Sequence, residues 1–137
     1  MSLFNVFDIS GSALSAQSVR LNAISSNLAN AEVVSSSEAS AYRARYPVFS
    51  SALEFAMDDQ EGVGVRVDGM VESSMVPRKE FSPTHPMADE DGYIYMSNVN
   101  SVEEMANMIS ASRSYQSSVE AMNTTKQLIM RTLNLGR

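Results

Sequence analysis

The chain holds 137 residues with ten basic and sixteen acidic side chains, a formal charge of −6, one histidine and no cysteine. The acidic balance argues against nucleic acid as a main partner, because phosphate binding needs a basic face. Without cysteine there is no disulfide framework, thiolate nucleophile or zinc–thiolate site.

The first residues, Met1-Ser2-Leu3-Phe4-Asn5-Val6-Phe7-Asp8, lack a basic stretch followed by an apolar one. They do not read as a cleaved secretory signal. From Leu3 onward, every third or fourth residue gives Leu3, Phe7, Ser10, Leu14, Gln17, Leu21, Ile24, Leu28 and Ala31, of which seven of nine are apolar. This spacing predicts one long amphipathic helix over 1–33. Asn22, Asn27 and Asn30 are interspersed with the stripe. They fit either hydrogen bonds between helices or solvent exposure, with Asn30 closing the helix.

A polar run, Ser35-Ser36-Ser37-Glu38-Ala39-Ser40, reads as loop and opens a middle segment over 34–98. Within it, residues 62–71 alternate valine with small or polar residues and predict a strand, and Tyr93-Ile94-Tyr95-Met96 predicts another. Pro77, Pro83 and Pro86 interrupt the chain between them. The charge collects here: residues 1–53 balance at zero, 54–91 carry −7 and 92–137 carry +1. The centre and the ends therefore do different work.

Over 99–137 the helical period returns with Met105, Met108, Ser112, Tyr115, Val119, Met122, Lys126, Ile129 and Leu133, again seven apolar residues of nine. Ser101 and Glu104 have the spacing of a capping box at its start, and Asn134-Leu135-Gly136 makes a stop. The fold expected is mainly α: long terminal helices pair as an antiparallel, coiled-coil-like hairpin, with a small β-rich or irregular insert between them. In that pairing Leu14 lies opposite Met122 and Leu21 opposite Tyr115. The period leaves coiled coil and plain bundle both open.

Catalytic chemistry finds little support. Asp89-Glu90-Asp91-Gly92 resembles a calcium loop, but the twelfth position is Asn98 where a bidentate glutamate is needed. His85 stands alone before Pro86, with no neighbouring nucleophile. Glu103 and Glu104 are accounted for by the dipole of a helix start. The expectation is a non-enzyme with no catalytic residues, no cofactor and no metal site. Its candidate surface is two stripes for contact between subunits. The first comprises Leu3, Phe7, Leu14, Leu21, Asn22, Ile24, Asn27, Leu28 and Asn30. The second comprises Met105, Met108, Tyr115, Val119, Met122, Ile129 and Leu133.

Particular segments narrow this further. The run from Leu3 to Gln17, then Arg20-Leu21-Asn22 and Ser26-Asn27-Leu28-Ala29-Asn30-Ala31, closely resembles the N-terminal signature of the flagellar axial (rod) protein family. Blocks 42–49, 85–94 and 112–120, with Asn123, Lys126 and Thr132-Leu133, extend the likeness. The length fits the short proximal members rather than the longer distal rod and hook proteins. Asn98 follows Ser97 where the family often has proline at the serine, and 33–41 is idiosyncratic; neither touches the stripes.

The resemblance implies a structural subunit of the proximal rod, the drive shaft of the bacterial flagellar basal body, assembling helically through its terminal helices to transmit torque. It implies as partners the chain itself, other rod subunits, the junction protein between rod and membrane ring, and the flagellar type III export apparatus. Nucleic acid and a direct membrane span are not among them. The place implied is the rod where it crosses the periplasm, reached without a cleaved signal. The alternatives are a different rod subunit of the same family, or a soluble helical adaptor or export chaperone that forms a discrete oligomer.

Overall fold

A computed structural model describes residues 3–52 and 63–135. Helix α1 spans Leu3–Ala29 and α2 spans Ser101–Leu135, with 27 and 35 residues respectively. Neither contains proline, so no backbone N–H is missing from either ladder. Among the described residues five strands lie between them: β1 (Val34–Ser35), β2 (Arg45–Ser51), β3 (Val65–Glu72), β4 (Arg78–Phe81) and β5 (Tyr93–Met96). Among the described residues about half are helical and about a fifth are strand, with antiparallel sheets. This overturns the mainly-α expectation of a helical hairpin framing a small insert; the fold is α+β.

The correction has a local cause. β2 carries Pro47 inside it, and β4 reads Arg-Lys-Glu-Phe with all four residues exposed. Neither shows the hydropathy alternation of a half-buried strand, because an edge strand need not bury a face. β1 is two residues at the edge of the run read as loop. β5 falls where its sequence placed it. β3 begins at Val65, and Gly62, the start of the expected strand, lies outside the described residues.

The chain forms two compact units. The first gathers Met1–Leu21, Pro47–Gly69 and Ser110–Arg137. Its buried positions include Ala16 and Ala111, with Ser10 and Thr125 beside them in kind. These two hydroxyls are tolerated because each donates to the carbonyl one turn back, Ser10 to Val6 at 2.8 Å and Thr125 to Ala121 at 2.9 Å. Met122 reaches Gly11, where a Cβ would lie 3.8 Å from its Cε. The glycine leaves room that a flexible thioether fills, and this contact falls one turn before Leu14, the residue expected opposite Met122.

The second unit gathers Asn22–Tyr46 and Met70–Ile109. It holds a three-stranded sheet in the order β1-β5-β4, while β2 and β3 pair as a separate two-stranded sheet. Central β5 pairs Val34 with Met96 on one side and Lys79 with Tyr95, Glu80 with Ile94 and Phe81 with Tyr93 on the other. Ile94 is buried beneath the sheet, and Ala31, Ala44 and Val99 form a small core with Tyr42 against it.

The β4–β5 turn rests on Asp89 and Gly92. Asp89 Oδ1 accepts from the N–H groups of Asp91 and Tyr93 at 3.1 and 2.7 Å, and Oδ2 accepts from the Tyr95 hydroxyl at 3.3 Å. The Tyr93 N–H, above all, holds this carboxyl below the usual aspartate range. The acidic run is thus turn chemistry. Gly92 sits at φ +79°, and a Cβ there would lie 3.0 Å from Phe81 Cε2 and 3.1 Å from Pro83 Cβ. Gly92→Ala therefore meets both left-handed strain and a rigid ring, and is expected to cost about 1–3 kcal/mol. Urea denaturation checks this; an unchanged midpoint would show that the turn tolerates another conformation.

Candidate functional site

The two sequence stripes are distributed between buried, half-buried and exposed positions. On α1, Ile24 and Asn27 are buried, while Leu14, Leu21, Leu28 and Asn30 are half-buried. Phe7 and Asn22 are exposed, and the side chain of Leu3 lies outside the described residues. On α2, Met108, Val119, Met122 and Ile129 are half-buried, whereas Met105, Tyr115 and Leu133 are exposed. Asn30 closes α1, its side-chain amide donating to the Ser26 carbonyl at 2.7 Å.

In the second unit α2 presents two opposite faces. Val102, Met105 and Ile109 follow helical spacing and are 74%, 56% and 58% exposed. Glu104, by contrast, is 1% exposed. The sequence reading assigned Glu104 to a capping box with Ser101. The structure instead gives the cap to Asn100, whose Oδ1 accepts from the N–H groups of Val102 and Glu103 at 3.1 and 3.4 Å. Glu104 is free to turn inward because Asn100 has taken the capping role.

Inward, it meets Asn27. Asn27 Nδ2 donates to Glu104 Oε2 at 3.1 Å and to the Arg45 carbonyl at 3.0 Å. Asn27 Oδ1 accepts from the Arg45 N–H at 2.9 Å and the Tyr42 hydroxyl at 3.0 Å. The Tyr46 hydroxyl and Asn107 Nδ2 donate to Glu104 Oε1 at 3.2 and 3.4 Å. Every donor to this carboxylate is neutral. The Arg45 guanidinium turns away to Glu72, 2.9 Å distant in an exposed pair that adds little.

Of this network sequence reasoning reached Asn27 alone, as one of three asparagines suited to hydrogen bonds between helices; the other members Glu104, Tyr42 and Tyr46 were missed. The network's one legible signal is Asn27, which sits three residues after Ile24 on the face that must be buried. An amide there needs partners.

Tyr46 reports on the network. Burial foremost, and then the charge and hydrogen bond of Glu104, push its hydroxyl up to about 12 from its ordinary 10. A raised value means the contribution is complete below pH 10 and is lost as pH climbs through about 12. Tyr46→Phe should flatten stability against pH in that window and lower it by about 0.5–1.5 kcal/mol at neutral pH. Denaturation of both proteins as pH rises from below 10 to about 12 checks this; parallel curves would remove Tyr46 from the network.

Large apolar side chains also stand exposed on the β2–β3 ribbon: Tyr46, Val48, Phe49, Val65, Met70 and Val71. A two-stranded sheet is marginal by itself. Among the described residues no helix is long and apolar enough to cross a membrane, and no group of three or more His, Cys, Asp or Glu could hold a metal ion.

Two long helices that carry exposed apolar side chains place the chain in the class of proteins with unpartnered apolar surface, and comparison with known proteins gives the family. A model described as "Flagella basal body rod protein" matches residues 7–34, and one described as "Flagellar basal body rod FlgEFG protein C-terminal" matches residues 90–135. These ranges take in most of α1 and all of α2. The flagellar basal-body rod protein FlgC of Yersinia enterocolitica is 51% identical over 137 residues, covering all of both chains. FlgC of Salmonella typhimurium strain LT2 is 46% identical over the same full length. FlgC of Buchnera aphidicola from Acyrthosiphon pisum is 42% identical over 138 residues, with 99% of each chain covered. The chain belongs to the FlgC family of flagellar basal-body rod proteins.

Proposed function

We propose that this chain is a non-catalytic structural subunit of the rod of the bacterial flagellar basal body, in its proximal part. The observation that carries the reading is the outward apolar set on α2, namely Val102, Met105, Ile109, Leu128, Met130 and Leu133, in a chain matched to FlgC from end to end. The terminal segments 1–33 and 99–137 serve as axial packing elements and 34–98 as the insert. The half-buried members of both stripes, among them Leu14, Leu21, Met108 and Met122, close the fold. The exposed ones, Phe7, Met105, Tyr115 and Leu133, meet other subunits.

Unlike patches meeting head to tail build an open helical array instead of a closed ring. Torque then passes through many side-chain contacts at once. The partners are further copies, other rod subunits and the junction protein that links rod to membrane ring. The chain reaches the rod through the flagellar type III apparatus and lies where the rod crosses the periplasm.

Fractionation tests the reading. In a strain lacking the protein, a tagged copy should restore swimming and sediment with detergent-resistant basal bodies. A copy that restores swimming but stays soluble as a discrete oligomer would replace this reading with an adaptor or export chaperone.

A further inference from the structure

We propose that Asn27 and Glu104 form a register key: a buried polar contact that admits one pairing of α1 with α2 within the second unit and fixes residues 42–46 to that pairing. The accounting at the pair is complete. Asn27 is 0% exposed and uses both N–H donors and both lone pairs of its carbonyl oxygen. Tyr42 spends its one proton on Asn27 Oδ1, so the Ser26 hydroxyl 3.2 Å away donates to Tyr42. Glu104 takes three neutral donors, from Asn27, Tyr46 and Asn107.

Such a contact is a poor source of stability. A carboxylate removed from water without a cation loses its hydration, and neutral donors return only part of it. An apolar pair of similar volume would serve the fold as well or better. What the polar pair supplies is discrimination. A slip of one turn, about 5.4 Å along either helix, would leave a dry carboxylate and a dry amide with none of these partners.

The surrounding core cannot do this by shape. Its buried apolar members in this unit are Ala23, Ile24, Ala31, Ala41, Ala44, Ile94 and Val99. Four of the seven are alanine, which offers little for a neighbour to distinguish. The same pair reaches the backbone of Arg45 through both its N–H and its carbonyl. The first residue of β2 is therefore set by the helix pairing.

Spin-label distances test the key, since the chain has no cysteine of its own. Labels go on Ser25→Cys and Ala106→Cys, both exposed positions of this unit. The otherwise unaltered protein should give one narrow distance. Asn27→Leu and Glu104→Met, made singly, should each lower the thermal midpoint by roughly 10 °C or more. Made together, they should return it to within a few degrees while the distance distribution splits into two or more populations. A double variant with one narrow distance would overturn the proposal, as would a broad distribution in the unaltered chain. Glu104→Gln keeps the size and the hydrogen bonding, and should keep one distance. If the double variant does not melt cooperatively, Glu104→Gln and Glu104→Met decide between themselves: one population in the first and several in the second support the key, and identical distributions overturn it.

Discussion

Asn27→Ala is expected to remove about 3–5 kcal/mol of stability, a large share of the roughly 5–15 kcal/mol by which a protein stays folded. The deletion takes away one small amide, yet it strands four groups. Glu104 Oε2 and the Arg45 carbonyl each lose a donor, and the Arg45 N–H and the Tyr42 hydroxyl each lose their acceptor. Each buried polar group left without a partner costs about 1–3 kcal/mol, and relaxation around the small cavity recovers some of the sum. Asn22→Ala on the same helix is the control. That side chain is exposed, and its loss should stay within about 0.5 kcal/mol. Urea denaturation followed by circular dichroism compares the two. Equal midpoints would mean that the network is redundant with the alanine core around it.

The two helices were legible because their period is long and no proline interrupts it. The content of their buried faces was not. Hydropathy counts leucine, methionine and phenylalanine, whereas the most buried helical positions here are Ser10, Ala16, Ala23, Ile24, Asn27, Glu104, Ala111 and Thr125. Small and hydrogen-bonded residues fill these faces, and larger apolar residues such as Met105 and Leu133 stand outside. A sequence stripe records what is apolar; it does not say whether the partner belongs to the same chain. Glu104 was hidden for another reason. Its partner Asn27 lies 77 residues away, and a glutamate at a helix start already has an ordinary explanation. β4 escaped because its Arg78-Lys79-Glu80 run reads as solvated. In the sheet Lys79 Nζ stands 4.0 Å over the Tyr93 ring and 5.5 Å over Tyr95, and contact with the Tyr95 hydroxyl foremost holds the ammonium above its ordinary range. Aromatic β5 was legible, but the cation it would draw alongside was not.

Met105→Asp with Ile109→Asp should abolish swimming while leaving the folded chain nearly as stable as before. Both side chains are more than half exposed, at 56% and 58%. In the isolated chain they lose little on replacement beyond the lower helix propensity of aspartate, about 0.5 kcal/mol each. Against a neighbouring subunit the same carboxylates would be dehydrated with no cation to meet them, at several kcal/mol each, roughly. Every 1.4 kcal/mol, approximately, is tenfold in affinity, so contact between subunits should weaken by more than about a hundredfold. Arg113→Ala, exposed further along the same outward side of α2, removes a cation without burying a new charge and should leave swimming intact. Denaturation of the purified chain separates folding from assembly. If the double variant swims normally, the outward face of α2 faces solvent in the rod, and assembly must rest on other exposed groups, the β2–β3 ribbon with Val48, Phe49, Met70 and Val71 first among them.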